Sequence, residues 1–431
     1  MKHEVLKNVI YDQHMLIRNA DIVPRAYTFD PNANYVLTGV RRAGKSTLLY
    51  SICRKFISDG MGWNRIIYIN FEDERLTEFK TADFNDIVSI QAELSAEKGI
   101  YFFDEIQNIP GWEKFARRLA DAGEHVYITG SNAKMLSSEI ASTLGGRYLT
   151  KHITTYSFAE YLDALKVPRT AEAFYTTRTD AEFRKAFENY YTDGGFPEAL
   201  RYRFKKEYVS GVYQKVLLGD IVTRNKLRNE SAAKILIKKI AESVKSDISY
   251  TKLHNILKTI GIGISKDSVI DYVGYAMDAY LIFPVQNFFA KFADKESTPK
   301  YYFTDNGLLN LFLTNKNTLL LENIVAVELV RQHPDGIYYL KSSQTGIDVD
   351  FYLEEENTAV QVAYSIEGDA VEREVGNLIK LARSFDAANR FLIITKEEEA
   401  IIEKDGVKIE VIPAYKYLMN YGEKKESCDK N

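Results

Sequence analysis

The sequence predicts an α/β protein built on a parallel sheet, and three observations carry that expectation. The first is a set of short apolar runs: "NYVLTGV" (34–40), "RIIYINFED" (65–73), "GIYFFDE" (99–105) and "HVYITGS" (125–131). Each ends in small or acidic residues, the pattern of strands buried on both faces of a sheet. The second is the helical texture between them. "KSTLLYSICRKFISDG" places Leu48, Leu49, Ile52, Phe56 and Ile57 on one face and stops at Gly60, and "WEKFARRLADAG" stops at Gly123. Alternation of the two patterns implies an α/β sandwich. The third is Gly39-x-x-x-x-Gly44-Lys45-Ser46, which lies between the first strand and the first helix. That is the setting a phosphate-binding loop requires.

Composition narrows the class. A chain of 431 residues is long enough for two to four domains. A net charge of −4 gives no global electrostatic case for nucleic acid. Cys53 and Cys428 are the two cysteines, and Cys428 lies in a polar tail, so a reducing compartment is expected. The N-terminal stretch has no apolar core of signal-peptide length, and no run of 18 apolar residues suits a membrane. The expected location is the cytoplasm.

The loop gives the chemistry. Backbone N–H groups of Gly39, Arg41, Arg42, Ala43, Gly44, Lys45, Ser46 and Thr47 can cradle phosphates at a helix N-terminus. Lys45 would reach the β- and γ-phosphates, and the Ser46 hydroxyl would ligate Mg²⁺. Asp104 ends the apolar strand 99–103 and can hold the metal shell, while Glu105 can act as general base on the attacking water. Ser131 and Asn132 follow another strand, where a polar side chain either contacts the γ-phosphate or water, or caps a helix from Ala133. Arg147 follows two glycines and is a candidate for stabilising transition-state charge, in cis or from a neighbouring subunit.

Beyond Tyr148 the pattern changes to helices punctuated by "DGGFPEA". Residues 231–282 read as short helices with Ser249 and Ser265 as N-caps, followed by a β-like hairpin, the order of a winged helix. From about 320 the texture is again α/β. The expected division is an N-terminal segment 1–20, a nucleotide core 21–155, a helical lid or linker 156–230, a winged helix 231–305, an α/β domain 306–418 and a disordered tail 419–431.

Taken together, "GVRRAGKSTLL", "FFDEIQNIPGWE", "ITGSNAKMLSSEIASTLGGRY" and "YSFAEYL" resemble a branch of prokaryotic AAA-type ATPases. "YFTDNGLLN", "LENIVAVEL" and "DVDFYLE" resemble the C-terminal part of the same family, so the match spans roughly residues 20–365. The resemblance implies a P-loop core of the additional-strand type, with one strand between the acidic strand and the phosphate-loop strand. It implies ATP with Mg²⁺, Glu105 as catalytic base, Ser131 or Asn132 as polar sensor, and Arg41 and Arg42 as the family's paired arginines.

"GIDVDFYLEEENTAVQVAYS" reads like a restriction-nuclease-like domain. There a helix acid, a strand Asp and Glu/Gln-x-Lys surround Mg²⁺. Glu328 and Asp350 are the candidate acids. Gln361 replaces Glu and Ala363 replaces Lys, so the expectation is a fold kept for binding or packing without cleavage. Asp348 nearby keeps a DNA nuclease using Asp350 open as an alternative.

The partner is a protein or DNA. The second helix of the winged-helix pattern carries Asp267, Asp271 and Asp278 against Lys266, a poor match to a phosphate backbone. Arg201, Arg203, Lys205, Lys206, Arg224, Lys226 and Arg228 form denser positive runs. The function expected is a Mg²⁺-dependent ATPase, with oligomerisation possible through Arg147. A nucleotide-gated scaffold with little turnover is the alternative.

Overall fold

The structure is a computed structural model and describes residues 3–133, 138–169, 176–291, 297–314 and 317–420. The chain forms two compact units: residues 1–154 with Asp278–Tyr280, and residues 155–277 with 281–431.

The first unit begins with helix α1 (His3–Asn19). Its strands are β1 (Asn34–Thr38), β2 (Ile66–Asn70), β3 (Ile100–Asp104), β4 (His125–Gly130) and β5 (Tyr148–His152). Its remaining helices are α2 (Lys45–Ser58), α3 (Phe84–Leu94), α4 (Trp112–Asp121) and α5 (Ser138–Leu144). All strand pairs are parallel and the order is β2-β3-β4-β1-β5. β4 therefore separates β3 from β1, the additional-strand arrangement. One sheet face packs Ile67, Phe103 and Ile128 against Leu6, Phe84 and Phe115 of α1, α3 and α4. The other packs Tyr35, Leu37, Tyr68 and Phe102 against Leu48, Leu49 and Ile52 of α2. Burial on both faces explains why these strands read as continuous apolar runs.

The second unit opens with α6 (Phe158–Ala164), where Ser157 and Glu160 form a capping box. It continues through α7 (Thr177–Asp193), α8 (Lys205–Lys215) and a π-helical stretch, Val216–Thr223. Helices α9 (Glu230–Glu242), α10 (Tyr250–Thr259) and α11 (Lys266–Asp278) follow. Ser249 and Ser265 accept the N–H groups of Lys252 and Ser268, as expected of N-caps. Strands β6 (Ile282–Asn287) and β7 (Lys300–Phe303) form the hairpin. After a short helical turn, Asn306–Leu309, come α12 (Asn317–Gln332), β8 (Ile337–Ser342), β9 (Ile347–Leu353), β10 (Thr358–Val362), α13 (Asp369–Ser384), β11 (Arg390–Thr395), β12 (Ala400–Lys404), β13 (Val407–Pro413) and α14 (Ala414–Asn420).

The hairpin does not stand apart. β6 runs parallel to β8 through Gln286↔Tyr338 and Asn287↔Tyr339. One sheet of order β12-β13-β11-β10-β9-β8-β6-β7 results, and the boundary expected near 305 falls inside a continuous unit. At the C-terminal end, α14 runs to Asn420 and the rest of the expected tail, with Cys428, lies outside the described residues.

"DGGFPEA" and "YFTDNG" meet inside this unit. Asp305 accepts hydrogen bonds from the Thr155 hydroxyl, the Gly195 N–H and the Gly307 N–H, each at 2.8 Å. Gly194 is obligatory, because a Cβ there would lie 1.8 Å from Asp305 Oδ1. Burial pushes the Asp305 carboxyl up to about 6 from the usual 3.8, so the folded state holds its proton longer than the unfolded chain does. Stability contributed by the neutral form is therefore lost as pH rises through that window. Asp305→Asn is expected to abolish this slope in urea unfolding. It should also destabilise the unit at pH 7 by about 1–3 kcal/mol, because an amide cannot accept from donors on both sides.

Candidate functional site

The phosphate loop is shaped by backbone geometry. Gly39 has φ +142° and Gly44, which caps α2, has φ +94°. A Cβ at Gly39 would meet the Ile153 carbonyl oxygen at 2.0 Å. Arg42 also takes a left-handed conformation, φ +63°, with an exposed side chain. Lys45 is buried and donates to the carbonyls of Gly39 (2.8 Å) and Val40 (3.0 Å). Arg41 pairs with Glu72 at 2.8 Å, so one of the paired arginines contacts an acid that follows β2.

The acidic strand meets this loop. Asp104, 1% exposed, accepts from the hydroxyls of Tyr68 (3.0 Å) and Thr129, and the nearby Ser46 hydroxyl favours its charged form. Burial raises its carboxyl above the usual carboxylate range, and the neighbouring Glu105 adds to that. Thr129 also accepts the Glu105 N–H at 3.0 Å. Glu105 has φ +53°, an uncommon left-handed conformation for a non-glycine residue, and this N–H contact fixes it. Its carboxylate accepts from the Gln107 amide.

The sensor candidates lie just beyond β4. Ser131 is fully buried, and its hydroxyl has no hydrogen-bond partner among the described residues. Asn132 is buried beside it. Part of the helix expected from Ala133 lies outside the described residues, and the described helix begins at Ser138.

Arg147 is placed differently. It precedes β5, where Asn34 pairs Tyr148, whereas the phosphate loop leaves β1 beyond Thr38, which pairs His152. A five-residue strand spans about 16 Å, so Arg147 sits near the N-terminal ends of β1 and β5, opposite the end where the loop leaves β1. It pairs with Asp121 there.

Sequence reasoning missed Thr129, Tyr68, Gln107 and Arg25. Arg25 donates to the Ala43 carbonyl and to the Thr154 carbonyl, each at 3.0 Å, and so ties the loop to the chain after β5. Arg25→Ala is expected to weaken nucleotide binding about tenfold, since hydrogen bonds from charged donors contribute about 1.5–3 kcal/mol. Arg25→Lys should recover little of this, because an ammonium cannot match the two-pronged geometry. Titration of a fluorescent ATP analogue measures both.

In the second unit Glu328 accepts from Arg331 and from Gln332 (2.7 Å). The helix acid linked to Asp350 is instead Glu322, through Lys300. Gln361 is buried and donates to Glu374.

Residues 31–162 match the model of an AAA domain, and residues 184–319 match a domain of unknown function (DUF8612). The chain is 33% identical to an uncharacterised protein of Methanocaldococcus jannaschii, over 97% of this chain and 96% of that protein. It is 29% identical to an uncharacterised protein of Haemophilus influenzae over 87% of this chain and 92% of that protein. Among solved structures, it is similar to a Walker-type ATPase of Pyrococcus abyssi, with 17% identity, TM-score 0.43, and 69% and 99% of the two chains covered. It is also similar to AMPPCP-bound DnaA of Aquifex aeolicus, with 14% identity, TM-score 0.26, and 64% and 86% covered. No described helix is long and apolar enough to cross a membrane. With a phosphate loop and acidic strand inside the matched AAA domain, the chain belongs to the family of the Methanocaldococcus jannaschii protein.

Proposed function

We propose that the first unit binds Mg²⁺-ATP and hydrolyses it. The observation that carries this reading is the buried Asp104 carboxyl with the Ser46 hydroxyl of the loop near enough to favour its charged form, which brings the phosphate loop and the acidic strand into one cluster. The cluster fits a nucleotide and its metal. A buried, charge-disfavouring carboxylate gains from a cation, and the Ser131 hydroxyl still has bonding capacity to offer a phosphate oxygen. Ser46 and Asp104 would hold Mg²⁺, which when bound neutralises charge on the phosphates.

The chain's own residues do the rest. Gly39 to Thr47 present N–H groups to the phosphates, and Lys45 exchanges its two carbonyl partners for phosphate oxygens. Glu105, held by Thr129 and Gln107, orients a water and takes its proton as it attacks the γ-phosphorus. The γ-phosphoryl group leaves ADP for the water oxygen. Ser131 or Asn132 senses the γ-phosphate. Arg147 acts only in trans, from a neighbouring subunit of an oligomer. A rate per protomer that rises with protein concentration supports that role, and a constant rate removes it.

Residues 231–305 act as a winged helix that, with the nuclease-like residues 306–418, responds to nucleotide state in the cytoplasm. Asp267 and Asp271 are exposed on α11 beside Lys266, which favours a basic protein partner over DNA. Phosphate release with Mg²⁺-ATP tests the activity. Tight ATP binding without release would leave the nucleotide-gated scaffold instead.

A further inference from the structure

The second unit holds a charged cluster that ATP chemistry does not use. Glu322 on α12 and Asp350 on β9 are both buried. The ammonium of Lys300, at the start of β7, lies 3.2 Å from Asp350 Oδ1 and 3.6 Å from Glu322 Oε1. Lys245, after α9, reaches Glu322 Oε2 at 3.4 Å. The Tyr302 hydroxyl donates to Glu322 Oε1 at 2.8 Å, and the Val362 N–H donates to Asp350 Oδ2 at 3.0 Å. Glu322 Oε2 makes no hydrogen bond among the described residues and faces the Lys245 ammonium, while the other three carboxylate oxygens each have a cation or donor.

The elements around this cluster run in a definite order. A helix, α12, precedes three antiparallel strands, β8, β9 and β10, and α13 then leads to β11, parallel to β10. In such an arrangement the helix acid and the strand Asp face a divalent cation. Here Lys300 stands between them. Its side chain is 2% exposed, so neither water nor substrate reaches the ammonium freely. Ala363 occupies the position of the water-orienting lysine, and the Gln361 amide is spent on Glu374.

We propose that the Lys300 ammonium permanently fills the divalent-cation position of this carboxylate site. The C-terminal domain is then a non-cleaving module, latched to the preceding helices and hairpin by tethered cations. The surroundings support the assignment: two ammonium groups, Lys300 and Lys245, face the carboxylates, while burial and the neighbouring Asp350 raise the Glu322 carboxyl and so disfavour leaving its charge without a cation. A divalent ion beside Lys300 would meet a cation held in place by buried carboxylates. Burial works against the ammonium, yet Glu322 and Asp350 hold Lys300 above the ordinary lysine range, so it stays charged. Buried ion pairs contribute little net stability but are costly to break, which suits a latch.

Mn²⁺ binding to the full chain without nucleotide, followed by electron paramagnetic resonance, tests this. The comparison uses wild type, Asp350→Asn, Lys300→Ala and the Lys300→Ala/Asp350→Asn pair. Subtracting the Asp350→Asn response removes Mn²⁺ held at the phosphate loop. Wild type should match Asp350→Asn, whereas Lys300→Ala should bind Mn²⁺ at least tenfold more tightly than the double variant. A folded Lys300→Ala with no such gain overturns the assignment. If Lys300→Ala does not fold, wild type against Asp350→Asn still decides. Excess Mn²⁺ on wild type, or plasmid cleavage with Mn²⁺ that Asp350→Asn abolishes, overturns the proposal and restores a nuclease site.

Discussion

Glu105→Gln is expected to lower ATP turnover by about 10²–10⁴-fold, the usual contribution of a positioned general base, while nucleotide binding stays within a few-fold of wild type. The geometry makes this a clean substitution. Glu105 is 9% exposed, its backbone N–H is held by Thr129 at 3.0 Å, and its carboxylate accepts from Gln107. A glutamine oxygen can keep the Gln107 contact, so shape survives and only basicity is lost. Phosphate release at saturating Mg²⁺-ATP, together with titration of a fluorescent ATP analogue, separates the two effects. A variant that turns over at the wild-type rate would remove Glu105 from the chemistry.

Gly39→Ala should cost the loop its shape. The new methyl group would lie 2.0 Å from the Ile153 carbonyl oxygen, which is backbone, and Gly39 already sits at φ +142°. The neighbour cannot yield cheaply, because the Ile153 N–H is bonded to Thr38 at 2.7 Å. Strain of about 1–3 kcal/mol falls on the bound loop. At about 1.4 kcal/mol per decade, ATP affinity should drop roughly 10–10²-fold. Gly60→Ala is the control: φ is also positive there, but no atom lies within 4 Å of the added carbon. That variant should lose a little stability and no affinity.

Much of the first unit was legible because strands buried on both faces leave unbroken apolar runs and the loop motif falls between one such strand and α2. Which end of the sheet a residue occupies was not. Arg147 follows "LGG" in sequence, and only the parallel register of β5 with β1 reveals that it lies just before β5, at the strand ends away from the phosphate loop. Arg25 carries no pattern, since it acts on two main-chain carbonyls distant in sequence. Glu322 and Glu328 share a helix buried nearly all round, so no apolar face distinguished them. Lys300 enters its cluster from another strand, and spacing gives no hint of that. The pair β12 and β13 was missed although Asp405-Gly406, both at positive φ, is a strong hairpin turn. The half-exposed edge strand supplies a weak apolar signal to go with it.

Phosphate release from ATP by the full chain, with Mg²⁺ and with EDTA, tests the central claim most directly. The account predicts Mg²⁺-dependent release that Lys45→Ala and Glu105→Gln both abolish. Release that continues in EDTA or in Glu105→Gln, or no release from a wild type that binds ATP, would contradict it.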